Sequence, residues 1–109
     1  KFGLDVIKLV DALPKDQTCR VLGRQLLRSS TSVGANYRAV CRAKSPADFI
    51  AKMGTVEEEA DESGYWLEML VDANKLESAK AARLIQEAGE LTAIAVSSIN
   101  TARQSGTRR

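Results

Sequence analysis

The chain has 109 residues, no histidine, two cysteines and a formal charge of +2. That length holds one modest core and leaves no room for a separate catalytic domain. Without histidine the commonest general base and metal ligand is missing, which argues against a metal site, a cofactor and acid–base catalysis. Sparse glycine, proline and aromatics, with abundant alanine, leucine, glutamate and arginine, predict an all-α fold.

The small net charge conceals a segregation along the chain. Residues 15–52 carry +6, residues 53–78 carry −7 and residues 79–109 carry +3. Adjacent helices of opposite sign neutralise one another, so overall charge alone does not identify a nucleic-acid binder.

A first helix is expected over about residues 1–13, where Phe2, Val6, Leu9 and Leu13 repeat at spacings of four and three before Pro14 stops the helix. Leu4, Ile7 and Val10 point elsewhere on the same helix. Two apolar faces imply a second burial surface, which makes Leu4 and Ile7 candidates for an oligomer interface.

A second helix is expected over about 17–43, capped by Asp16 or Thr18, with a seam of Leu22, Leu26, Ser29, Val33, Asn36 and Val40. Ser29 and Asn36 stand where leucine would serve a plain core, which predicts a satisfied polar network. The run from Ser29 to Gly34 has poor helix propensity and could break the segment, although small residues also let helices approach closely. Arg20, Arg24, Arg28, Arg38 and Arg42 fall at about 0°, 40°, 80°, 0° and 40° around this helix, a stripe about 33 Å long. Such a stripe either grips phosphates or pairs with carboxylates. Arg28 lies nearest the polar seam and is expected to pair with Glu59 or Glu62; Arg20, Arg24, Arg38 and Arg42 are the candidate phosphate surface.

Ser45, Pro46 and Asp48 announce a third helix, about 46–74. Phe49, Met53, Val56, Ala60, Ser63, Leu67, Leu70 and Asn74 keep the alternation of four and three for over three heptads, as a long bundle helix requires. Lys52, Glu59 and Trp66 recur every seven residues along one flank, and a flanking tryptophan needs a partner, placing Trp66 with the candidate interface. A fourth helix, about 78–103, carries Leu84, Ala88, Leu91, Ala95, Ser98 and Ala102, and residues 104–109 are expected to fray as a basic tail. Short connections predict an antiparallel up-down-up-down four-helix bundle.

Cys19 and Cys41 lie too far apart along one helix to pair. With no run of eighteen apolar residues, the chain is expected to be soluble, cytoplasmic and independent of membranes. Gly23, Gly34, Gly54 and Gly64 match no phosphate-binding loop and read as points of close helix packing.

The stretch from Gln25 to Arg38, followed by Asp48 to Lys52, Glu58 to Glu62 and Tyr65-Trp66-Leu67, resembles the four-helix-bundle family named for the 23S rRNA intervening sequence. The resemblance spans nearly the whole chain. It implies a homo-oligomeric ring, a pentamer by analogy with the related accessory proteins of diversity-generating retroelements, which bind nucleic acid and a reverse transcriptase. By position, Arg28, Ser29, Ser32, Asn36, Lys52, Glu59, Glu62, Trp66 and Leu67 match the family pattern, and all but Trp66 and Leu67 are assigned to a structural polar network. One departure is Ala39, where the family commonly has Glu. The functional expectation is a non-enzymatic oligomer that binds RNA or DNA by its backbone; the alternative is a protein-interaction scaffold.

Overall fold

A computed structural model describes residues 1–107. Four helices follow in order: α1 Phe2–Asp11, α2 Gln17–Val40, α3 Pro46–Asp72 and α4 Ser78–Thr107. The described residues form no strand.

Each boundary has a local cause. The Asp16 carboxylate caps α2 by accepting from the Cys19 N–H at 2.8 Å, and the Ser45 hydroxyl caps α3 by accepting from the Asp48 N–H at 3.0 Å. Asp48 reaches back in turn, to the Lys44 N–H at 3.0 Å. Helix α3 stops two residues short of expectation because Asn74 takes a φ of 60°. The Asn74 N–H then bonds to the Val71 carbonyl and the Lys75 N–H to the Leu70 carbonyl, closing the left-handed C-terminal motif that asparagine tolerates. Asn74 is therefore a turn residue and not the last member of the seam. Helix α2 also ends early, and Arg42 lies in the turn beyond it. The run from Ser29 to Gly34 stays helical. Three of its hydroxyls, those of Ser29, Ser30 and Thr31, bond back to carbonyls three or four residues earlier in α2.

Helix α4 runs past Arg103 to Thr107. Ala102, Arg103 and Gln104 are good helix formers and no glycine or proline lies between Ala102 and Gly106, so residues 104–107 are helical where a frayed tail was expected. Arg108 and Arg109 lie outside the described residues.

The molecule measures 54 × 20 × 19 Å. Helix α3 packs on α2 and α4, whereas the short α1 touches α2 and α4 but not α3. Asp16 at the start of α2 pairs with Lys75 just past the end of α3 at 3.1 Å. Farther along, Ser29 faces Ser63, and Val40 shares a cluster with Met53.

Two apolar clusters result. One gathers Phe2, Val6, Leu26, Leu67, Leu70 and Leu84 with smaller residues from all four helices. The other, made of Val33, Val40, Met53, Val56, Ala60, Ala95 and Ile99, draws on α2, α3 and α4 alone. Buried Ser29, Ser30 and Ser63 lie between them in sequence, and Leu91 packs against both.

The α3 seam is buried as its spacing predicts from Met53 through Leu70. On α4 the buried set moves from Ala95 to Ile99, leaving Ser98 and Ala102 only half-buried. A straight helix drifts off a seven-residue repeat, and α1 does not extend to cover that end. Gly23 marks a close approach of α1, since a Cβ there would meet Val10 Cγ1 at 3.1 Å, and Gly64 faces Ala88. Gly34 and Gly54 have no such neighbour within 4 Å, so close packing does not account for them.

Candidate nucleic-acid interface

Arg20, Arg24, Arg28 and Arg38 project from α2, and Arg42 follows in the turn; all five are exposed. The helical part of the stripe is thus about 27 Å long.

Arg28 differs from the rest. Its guanidinium reaches across to α3, pairing with Glu59 at 3.3 Å and closely with Glu62. Its Nε also donates to Gln25 Oε1 at 3.3 Å. The Glu62 carboxylate accepts in addition from the Trp66 indole N–H at 3.0 Å, and the Trp66 ring meets Tyr65 edge to face with centroids 4.9 Å apart. Trp66 is half-buried against the cluster of four helices. A partner for the tryptophan therefore exists within the chain. Arg28 remains half exposed, so solvent screens this network and its contribution to stability is modest.

The expected polar network divides into separate groups. The Ser29 and Ser63 hydroxyls lie 3.0 Å apart, each also near a carbonyl of its own helix, Leu26 at 3.2 Å and Glu59 at 2.8 Å. Asn36 Nδ2 donates to both the carbonyl and the hydroxyl of Ser32 at 2.8 Å, a contact confined to α2. Lys52 stands apart from Glu59 and Glu62 because Asp48, one turn earlier on its own helix, takes its ammonium. That hydrogen bond, with the Lys44 N–H second, holds the Asp48 carboxyl below its ordinary pKa. Among the described residues no buried side-chain nitrogen or oxygen lacks a partner.

The remaining arginines face no such competition. Arg20, Arg24, Arg38 and Arg42 form no ion pair among the described residues. The neighbouring carboxylate at the N-cap of α2 is already engaged: the Cys19 N–H and then Lys75 lower the Asp16 pKa from 3.8 to about 2. On α3, Glu58, Asp61, Glu68 and Asp72 are exposed and equally without ion pairs. One surface of the molecule is thus cationic and another anionic.

Two ties between helices escaped the sequence reading. Lys75 to Asp16 joins a turn to a cap, and Arg83 of α4 bridges Asp5 of α1 and Glu87 at 3.3 and 3.2 Å. Opposite charge is the only sequence signal for either, and it names no partner. Leu4 is 64% exposed and Ile7 lies at the edge of exposure, so that part of the second apolar face of α1 stays uncovered within the chain, whereas Val10 packs inward beside Gly23 of α2. Both thiols are free, Cys19 buried and Cys41 exposed. Among the described residues, no helix is long and apolar enough to cross a membrane, and no group of three metal-binding side chains assembles.

Comparison with known proteins gives a family and a fold. The model of the 23S rRNA-intervening sequence protein family matches residues 1–97. A crystal structure of a protein of unknown function from the S23 ribosomal protein family of Bacteroides thetaiotaomicron VPI-5482 superposes with a TM-score of 0.83 at 34% identity, covering 90% of this chain and 91% of that one. No curated protein matches.

Proposed function

The chain belongs to the 23S rRNA-intervening sequence protein family, and on that premise we propose a non-enzymatic, cytoplasmic nucleic-acid-binding module. In this reading the antiparallel up-down-up-down bundle assembles as a homo-oligomeric ring, a pentamer. It holds RNA or DNA by the phosphate backbone through Arg20, Arg24, Arg38 and Arg42. The supporting observation is the contrast along the stripe of α2 and its following turn: Arg28 is committed to Glu59 and Glu62, whereas the four others are exposed and unpaired among the described residues.

Unpaired guanidiniums along one helix suit phosphates, which accept their forked donors and release counterions. A single exposed aromatic on α2, Tyr37 next to Arg38, makes no platform for successive bases, so binding is directed at the backbone and indifferent to base order. Symmetry would multiply a few weak contacts per subunit into avid binding. Leu4 and Ile7, with the exposed edge of Trp66, supply the subunit contacts.

Filter binding of the purified protein to RNA and to duplex DNA at two salt concentrations tests the reading. Affinity should fall steeply with salt, by roughly 0.9 of a logarithmic unit per phosphate contact for each tenfold increase. No retention at low salt would overturn it. Charge reversal at Arg20 and Arg24 should weaken binding and leave the native mass unchanged.

A scaffold that binds only proteins is the second reading, favoured by the exposed Tyr65 and Met69 beside the unpaired acids of α3. Dissociation of the oligomer on that same charge reversal would select it.

A further inference from the structure

Arg20 and Arg24 do not stand on an open surface. With Lys15 they border a cleft of about 330 Å³ where the end of α1 and the following turn meet the first turns of α2. Its apolar wall is made by Val10, Leu13, Pro14 and Leu27. The cleft has a sequence cause: Gly23 lets α1 settle closely on α2, and Pro14 keeps the segment between Asp11 and Gln17 out of helix.

Its electrostatics are one-sided. Asp11 is the one carboxylate on the cleft, against three cations. Lys15 Nζ donates to the Asp11 backbone carbonyl at 3.2 Å and makes no ion pair among the described residues. The adjacent Asp16 is held by the Cys19 N–H and Lys75, so it does not neutralise the arginines. The volume falls at the lower end of the range for small-ligand clefts.

We propose that this cleft takes one unpaired nucleotide of a single-stranded nucleic acid, a reading that rests on the nucleic-acid function proposed above. Arg20, Arg24 and Lys15 hold the phosphate, and the base or sugar lies against Val10, Leu13, Pro14 and Leu27. The Asp11 carboxylate accepts from a sugar hydroxyl. A duplex keeps its bases stacked and paired and presents only phosphates here, so the site discriminates strandedness and not sequence.

Amide chemical shifts of the ¹⁵N-labelled full chain, titrated with AMP, dAMP, adenosine and inorganic phosphate at low salt, test the site. AMP or dAMP should move the Gly23 and Arg24 amides saturably and bind about tenfold tighter than phosphate, the gain from apolar contact with one base. Adenosine should leave them unmoved. Equal responses to AMP and dAMP assign the site to either polymer, and a preference for AMP assigns it to RNA.

In filter binding, a single-stranded decanucleotide should outcompete a duplex of the same length by about tenfold. The doubly substituted Arg20→Lys, Arg24→Lys protein keeps the charge and the salt slope but should lose that preference, because lysine lacks the planar fork that orients the phosphate. Its unchanged circular dichroism would show that it folds. Equal binding of single strand and duplex, with the cleft amides unmoved, overturns this inference and leaves backbone binding standing. Loss of all nucleic-acid retention overturns both, and an acidic peptide that displaces AMP from the cleft and binds tighter would replace the ligand.

Discussion

The two ends of the molecule are built differently. At one, α1 closes over α2 and α4, and its Phe2 and Val6 join leucines of α2, α3 and α4 in the interior. At the other, three helices share a smaller core of valine, alanine, methionine and isoleucine, and Ser98 and Ala102 stay half-buried. Buried methylenes are the main source of stability, so the end that α1 covers should anchor the fold. The cationic cleft sits on that end, sharing Leu13 and Cys19 with the four-helix cluster.

The largest expected effect tests this asymmetry. Leu67, fully buried in the four-helix cluster, should cost about 2–5 kcal/mol as Leu67→Ala. Val56, 2% exposed in the three-helix cluster, should cost about 1.5–2 kcal/mol as Val56→Ala, from roughly 0.8 kcal/mol for each lost methylene. Urea unfolding of both variants measures the losses, and equal losses per deleted carbon, three in Leu67→Ala and two in Val56→Ala, would make the two ends energetically alike.

A smaller effect separates Arg28 from its neighbour one turn away. Arg28→Gln removes a half-exposed pair with two glutamates and should cost no more than about 1 kcal/mol. Arg24→Gln should stay within about 0.5 kcal/mol of wild type while reducing the salt slope of nucleic-acid binding by about one. If Arg24→Gln destabilises more than Arg28→Gln, the division of the stripe is wrong.

The smallest effect appears only in acid. Asp16 titrates near 2 when folded against an ordinary 3.8. Its contribution is therefore complete above about pH 4 and is lost as pH falls through about 2. Asp16→Asn keeps a capping oxygen but removes the titration, so the acid limb of the stability profile should be shallower than in wild type. An unchanged limb would show that Asp16 gains nothing from folding.

Periodicity made the α3 seam legible, because four-and-three spacing alone determines which side faces inward. It could not place Ser98 and Ala102, whose burial depends on how far α1 reaches along its neighbours. Arg28 was legible from its angular position beside Ser29 and from the acids due on the next helix. Lys52 was not, because Asp48 competes from one turn away on the same helix and a seven-residue repeat does not rank competitors. The cleft was invisible for a related reason: Lys15, Arg20 and Arg24 carry the charge, but the concavity comes from Gly23 and Pro14 acting on a different helix.

The two thiols record the same asymmetry chemically. Cys19 is 4% exposed, and burial, with the nearby Asp16 second, raises its pKa; Cys41 is exposed just beyond α2. A maleimide should therefore modify Cys41 at once and reach Cys19 only when the helices around it part. The protein thus carries its own clock: the delay before the second alkylation counts how often the covered end opens, and a nucleotide seated in the cleft that Cys19 helps to line should lengthen it.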